Sequence, residues 1–300
     1  MSDWAVKTRK WYDRTALIWV TRIITLFARI VPYRLGVWAG GVFGSIAYYL
    51  LPRERNRAIA HLTSVFGEKG GHWIRCTARR CFAHLGKSAL EVMLISPRRL
   101  SGLVDIEGEE NLRTALKQGK GVVFVTGHMG NWEVMAAAVA ARHYSVSVIA
   151  APIVPEQVND TIIGLRDGLG VRTIVRGRPG ASRELIRVFK ENRLLGILID
   201  QDTDVEGAFV DFMGKPAWTP TAAAAMAIKF NAPVIFGYTR RGRHNRHTVT
   251  IEGPIDLVRT GNAEQDIITN TGLFTKKIEE RIRNNPEQWV WMHRRWRKQP

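Results

Sequence analysis

The sequence predicts an α/β protein: a mainly parallel central sheet flanked by helices, preceded by N-terminal helices that associate with a membrane. Two observations carry the first part. Beyond Pro97 short apolar runs alternate with stretches of helical period, and the turns between them are rich in glycine, asparagine and proline. A third observation, an uncharged stretch near the amino end, carries the membrane-associating part. The 300 residues, 45% of them hydrophobic, are ample for one catalytic domain with an extension, and the expected division is 1–52 and 53–300.

In chain order the expected strands are "LVDIEG", "GVVFVTG", "YSVSVIA", "VRTIV", "LLGILID", "APVIFGYTR" and "RHTVTIEG". The helices between them are "ENLRTALKQG", "WEVMAAAVAARH", "EQVNDTIIGLRDGLG", "GASRELIRVFKEN" and "TPTAAAAMAIKFN". Thr219 and Pro220 read as the cap and first turn of the last of these, and Asn231 with Pro233 as its end. Ahead of Pro97, "RERNRAIAHLTSVFG" and "HWIRCTARRCFAHLGKSALEVMLI" have apolar residues at three- and four-residue spacing and predict two helices.

The amino-terminal region decides what the charge is for. A formal net charge of +17, concentrated at Lys7, Arg9, Lys10 and Arg14 and again at Arg294, Arg295, Arg297 and Lys298, calls for an anionic partner. From Leu35 to Leu51 the chain carries no charge, near the lower limit for crossing a hydrocarbon core of about 30 Å. Upstream, Arg22 and Arg29 share one face of an otherwise apolar helical stretch, the pattern of a helix lying in a membrane interface. Basic residues flank the apolar zone on both sides, which fits monotopic or hairpin insertion from the cytoplasmic side better than one crossing. Gly36, Gly40 and Gly44 form a ribbon suited to close helix packing. A buried helix hairpin of a soluble protein is the alternative. No small-residue cleavage site closes the apolar run, which argues against a signal peptide. Cys76 and Cys81 are the only cysteines and fit neither a zinc site nor a disulfide framework, so a reducing, cytoplasmic-face location is expected.

Ligands of open α/β sheets gather at the carboxyl ends of the strands. Three such ends are unusual: "TGHMGNWE", "PIVPEQ" and "IDQDTDVEG". His128 follows its strand directly. On a continuous helix Glu133 would lie about 140° around from it. A turn at Gly130 and Asn131, with Asn131 as N-cap, would bring the two together. The Glu133 carboxylate is then expected to accept the Nδ1 proton of His128, leaving Nε2 as a base. No serine sits in a nucleophile-elbow turn, so the nucleophile is expected to come from a substrate hydroxyl. "DQDTD" fits no calcium-loop spacing, and no metal is expected. Asp200 and Gln201 are expected to hydrogen-bond around the site. Arg176 and Arg178 flank a glycine ahead of a helix, where they could cradle a phosphate or form a basic surface loop. The tail "WVWMHRRWRKQP" interleaves aromatics with cations; with the apolar amino end present, a lipid interface is expected for it and nucleic acid is not.

"TGHMGNWE" resembles the H-x4-D/E motif of glycerolipid acyltransferases, in the form found in the bacterial lipid A late acyltransferases, also called lauroyl/myristoyl acyltransferases. "DQDTDVEGAFVDFMGKPAWTPTAAAAMA" and the closing "NPEQWVWMHRRWRKQP" are similar to two further segments of that family, and the likeness runs from the amino-terminal apolar segment to the end. The resemblance implies a glycerol-3-phosphate acyltransferase-like fold. It implies transfer of an acyl chain from acyl-ACP or acyl-CoA, without a further cofactor, to a hydroxyl of a lipid A precursor at the inner membrane. It places His128 as base, Glu133 as its partner, Arg166 and Asn131 close to the reacting groups, and needs no metal. Met213 stands where the family more often has an aromatic, which bears on pocket shape. Mycobacterial phosphatidylinositol mannoside acyltransferases share these motifs, so another glycolipid or a lysophospholipid is an alternative acceptor, and a non-catalytic basic membrane protein a further alternative.

Overall fold

A computed structural model describes residue 15 and residues 31–300; the expected interfacial helix around Arg22 and Arg29 and the basic cluster from Lys7 to Arg14 lie outside the described residues. Seven strands form one sheet in the order β1-β9-β8-β2-β5-β3-β4. These are β1 (Val104–Glu107), β2 (Val122–Thr126), β3 (Val146–Ala150), β4 (Val171–Val175), β5 (Leu194–Leu198), β8 (Val234–Arg241) and β9 (His247–Glu252). Every neighbouring pair is parallel except β8–β9. Each predicted strand is present. The central strands β2 and β5 are apolar at nearly every position because helices cover both faces.

One face carries the helix Trp132–Ala140, whose Val134, Met135 and Ala138 pack on Phe124, Val146 and Leu194. The other carries Ala181–Lys190, Ala222–Lys229 and Ala263–Asn284. The 22-residue helix Ala263–Asn284 and a two-stranded hairpin, β6 (Gly207–Phe212) and β7 (Lys215–Pro220), were not predicted as elements. Thr219 and Pro220 belong to β7 and not to the next helix: Thr221 occupies the N-cap position and the helix opens at Ala222. Local cap-and-proline chemistry reads the same in both settings, and the pairing of Ala208 with Thr219 decides it. Met213 forms the left-handed tip of this hairpin, with its N–H bound to Glu279 at 2.8 Å, and takes no part in the cavity described below.

The amino-terminal helix Tyr33–Leu50 lies against the long helix Gly71–Leu94, and the glycine ribbon is the reason they approach so closely. A Cβ at Gly40 would come within 2.5 Å of the Gly86 carbonyl oxygen, and one at Gly44 within 2.1 Å of that of Phe82. The opposite face is apolar and bare: Trp38 is 63% exposed and Phe43 62%, with Leu35, Ile46, Tyr49 and Leu50 beside them. Among the described residues no single helix is long and apolar enough to cross a membrane, and at Leu51 the chain bends by 92° into Pro52–Phe66.

The carboxyl-terminal tail differs from expectation. Trp289, Trp291 and Arg295 are among the most completely buried side chains in the protein. Arg295 donates to Thr219 Oγ1 at 2.6 Å, and Arg297 pairs with Asp202 at 3.0 Å and Asp204 at 2.6 Å. Part of the basic tail thus neutralises the protein's own acidic loop, and its tryptophans fill the core instead of a lipid interface.

Candidate active site

The three unusual strand ends belong to β2, β5 and β3, which are adjacent, so their loops converge at one edge. After β2 the chain turns through Gly130 at φ +60°, where a Cβ would lie 2.0 Å from the Thr239 carbonyl oxygen; only glycine fits. Asn131 caps the helix as expected, its Oδ1 accepting from Val134 N–H.

His128 and Glu133 do not meet. His128 Nδ1–H donates to Asp200 Oδ1 at 2.7 Å, and the His128 backbone N–H donates to Asp200 Oδ2, also at 2.7 Å. Trp289 Nε1–H donates to the same Oδ2 at 2.7 Å. Glu133 instead receives two bonds from Arg166, Nε to Oε2 at 2.8 Å and Nη2 to Oε1 at 2.6 Å, with the Trp132 indole at 3.2 Å. The reason is topological. Asp200 lies two residues beyond the end of β5, the strand adjacent to β2, and faces His128 directly, whereas Glu133, in the first turn of its helix, faces the helix Glu156–Gly168 that carries Arg166.

Asp200 is 1% exposed. Burial pushes its carboxyl up, but the neighbouring imidazole, the indole and the amide outweigh burial and hold it at about 2. A carboxylate acceptor at Nδ1 fixes the tautomer in which Nε2 carries the free lone pair. Nε2 makes no hydrogen bond within the described residues, and the ring forms part of the wall of a cavity of about 690 Å³. Burial opposes the charge on Arg166, but the Glu133 bonds prevail and raise its pKa, so the guanidinium stays charged with Nη1 unused by the pair.

The cavity wall is apolar away from this mouth. On the side of Trp132–Ala140 it is made by Phe124, Met135, Val139, Val146, Val148 and Leu194, and on the other side of the sheet by Ile149, Ile197, Leu185 and Met226. Thr126, Gln201 and Arg176 add the polar groups near the strand ends, and the Thr126 hydroxyl is buried with no partner. Arg178 lies apart from the cavity wall, in exposed pairs with Glu156 and Asp160 at 3.5 Å. Asn131 is likewise turned away: its Nδ2 donates to Glu91 Oε2 at 2.7 Å in the interior.

That interior cluster went unread in the sequence. Glu91, fully buried, accepts a fork from Arg241 at 3.0 and 2.6 Å, His247 at 2.9 Å, Asn131, and the Tyr33 hydroxyl. His84 donates to the Gly130 carbonyl at 2.9 Å, and Gln288 takes the Gly130 N–H at 2.9 Å. The turn presenting His128 is thereby tied to four separate segments. Trp289 belongs to the site through its bond to Asp200, a role that its sequence setting hides, because aromatics interleaved with cations suggest a surface segment.

Fold and site together define an α/β protein that holds an imidazole–carboxylate pair at the mouth of an apolar slot, an arrangement suited to long-chain acyl chemistry. The chain belongs to the bacterial lipid A biosynthesis acyltransferase family, whose signature matches residues 5–298. It is also similar to the phosphatidylinositol mannoside acyltransferase of Mycobacterium tuberculosis (strain ATCC 25618 / H37Rv), with 26% identity over 168 residues, 54% of this chain and 52% of the relative. The enzyme of the same name from Mycolicibacterium smegmatis is 24% identical over 200 residues, 65% of this chain and 66% of the relative. The chain thus spans about half to two thirds of the length of these curated relatives.

Proposed function

We propose that this protein is a membrane-associated O-acyltransferase that moves a fatty acyl chain from a thioester, acyl-ACP or acyl-CoA, to a hydroxyl of an anionic glycolipid, with a lipid A precursor as acceptor. The observation that carries it is His128 held at Nδ1 by ionised Asp200, with Nε2 on the wall of an apolar slot. In the proposed reaction the acyl chain lies in the slot with its thioester carbonyl beside His128. Nε2 takes the proton of the acceptor hydroxyl as its oxygen bonds to the carbonyl carbon. The tetrahedral oxyanion then collapses, the carbon–sulfur bond breaks, and the leaving thiolate receives the proton from Nε2. Asp200 steadies the transient imidazolium. The free edge of Arg166, on the cavity wall, supplies positive charge for the oxyanion or an acceptor phosphate. Glu133 sets the plane of that guanidinium.

The description of the matched family favours lipid A precursors, and the names of the curated relatives favour phosphatidylinositol mannosides as the second reading. Both acceptors are anionic, which suits Arg166 and Arg176 at the cavity mouth. The bare apolar face of Tyr33–Leu50 supports attachment to a membrane, with the cytoplasmic face of an inner membrane as the proposed location. The test is acyl transfer by purified protein from one acyl thioester to a tetra-acylated lipid A precursor, a phosphatidylinositol mannoside and a lysophospholipid in parallel. Product from the lipid A precursor supports the first reading; product from the mannoside alone replaces the acceptor and leaves the chemistry.

A further inference from the structure

Across the sheet face covered by Trp132–Ala140, four residues stand in one register row: Val148 on β3, Gly196 on β5, Phe124 on β2 and Ile235 on β8. Three of them fill the space above the sheet. Gly196 leaves its part of the floor bare, and Gly196 borders the cavity.

The Phe124 ring does not fill the gap. It leans to the other side, over Gly237 of β8, where a Cβ would come within 2.0 Å of Phe124 Cζ. The two glycines therefore do complementary things: Gly237 gives the ring a berth on one neighbouring strand, and Gly196 keeps a lane open on the other. Gly237 is glycine because the protein's own packing demands it. Gly196 is not so constrained, since a Cβ there would meet Val148 Cγ1 at 3.2 Å and nothing else closer than the Ser147 carbonyl oxygen at 3.7 Å. A glycine inside a central strand weakens it, and a ligand that passes close to the backbone is a reason for one to be there.

The lane leads to a dead end. Toward the mouth, the next row of the same face holds Thr126 and Leu198; away from it, the row holds Val146 and Leu194. Val146, Leu194 and Val139 of the covering helix line the far part of the cavity and are 4%, 2% and 2% exposed. A chain entering beside His128 must cross Gly196 to reach this row. Rows on one face are two residues apart, about 6.6 Å, which is about five carbons of an extended chain at ordinary carbon–carbon geometry.

We propose that Gly196, kept clear by the seating of Phe124 on Gly237, determines the longest acyl chain this protein accepts, by opening the final row of the slot. The inference rests on the acyl chain lying in this cavity as proposed above. A side chain at position 196 shortens the slot by about one row, so it lowers the preferred length by about four to six carbons. Gly237→Ala acts from the other side, by pushing the Phe124 ring toward position 196.

The test uses the full-length protein in detergent, with saturated fatty acids from decanoic to stearic acid as binding probes and the matching acyl thioesters as substrates. The variants are Gly196→Leu, Gly196→Ala and Gly237→Ala. In Gly196→Leu, decanoate and laurate are expected to bind as in the parent, while longer acids lose about tenfold for each pair of methylenes left in water. Gly237→Ala is expected to shift the optimum the same way. Gly196→Ala, whose added carbon requires only a small movement of Val148, shows a smaller shift and serves as the readout if leucine unfolds the sheet. Unchanged palmitate and stearate binding in Gly196→Leu, or an equal loss at every length in a variant that melts like the parent, overturns the proposal. A length cutoff that moves in binding while no thioester is turned over supports the slot and refutes the acyltransferase reading instead.

Discussion

Asp200 and Glu133 both lie at the carboxyl edge of the sheet, yet only Asp200 touches His128, at 2.7 Å, while Glu133 holds Arg166 in a two-bond fork. The carboxylate of the H-x4-E motif is thus five residues from the histidine in sequence but serves a different side chain in space. The two carboxylates have separable roles, and mutations can tell them apart.

Asp200→Asn keeps the shape of the buried acceptor but removes its charge. Turnover is expected to fall by about a hundredfold to ten-thousandfold, as for orienting carboxylates elsewhere, with acceptor KM little changed. Glu133→Gln is expected to cost less in kcat and to raise acceptor KM, because it frees Arg166. Effects of Glu133→Gln and Arg166→Lys should be markedly less than additive in a double-mutant cycle, whereas Glu133→Gln and Asp200→Asn should combine nearly additively. Steady-state kinetics on the five variants checks this; additive Glu133 and Arg166 effects would contradict the pairing.

Glu91 carries the burden of the turn behind His128. Burial opposes its ionisation, but His247 and Arg241 prevail and hold the carboxyl well below its ordinary value. Glu91→Gln leaves the Arg241 guanidinium buried without a counter-charge, and a loss of about 3 kcal/mol or more in stability is expected. Chemical denaturation of the two proteins in the same detergent measures it, and a change within experimental scatter would count against the network as a structural hub.

Stability should depend on pH in a defined window. Burial lowers His84 to about 4 from an ordinary 6.5, with Arg241 adding to it, and burial lowers His293 to about 4 as well. Between those values the unfolded chain binds more protons than the folded one, so stability rises with pH there and is lost as pH falls from 6.5 toward 4. Asp200, held at about 2 against an ordinary 3.8, extends the loss in the same direction below pH 4. The melting temperature should therefore drop on acidification from pH 7 to pH 5, and His84→Gln, if it folds, should flatten that slope. A melting temperature constant over this range would refute the assignment.

The apolar face of Tyr33–Leu50 gives a prediction about attachment. Trp38→Glu with Phe43→Glu places charge where the parent exposes large apolar side chains, away from the cavity. Binding to anionic vesicles should weaken by at least tenfold, while turnover of a short-chain thioester with a soluble acceptor stays near the parent rate. High salt alone should not release the parent protein, since salt screens only the charge contribution. Full release by salt would assign attachment to charge instead.

The sheet was legible in the sequence because its strands are short, apolar and bounded by turn residues, and the strand ends at Thr126, Leu198 and Ala150 pointed to the edge where the site lies. The glycine ribbon was legible too, since Gly36, Gly40 and Gly44 fall on one helical face. What escaped depends on strand order and chain return. Nothing local announces that β5 lies beside β2, and that adjacency gives His128 its partner. Trp289 and Arg295 read as interfacial because aromatic–cation interleaving is the same pattern whether it faces lipid or a core. The buried cluster around Glu91 draws on Tyr33, Asn131, Arg241 and His247, segments up to 156 residues from Glu91, and no spacing rule reaches that far.

The most direct test of the central claim is mass spectrometry of a glycolipid acceptor incubated with an acyl thioester and purified protein, parent against His128→Ala. The account predicts that the parent adds one acyl chain to the acceptor and that His128→Ala, though it still folds and binds fatty acid, adds essentially none. Acylation by His128→Ala at the parent rate would contradict it.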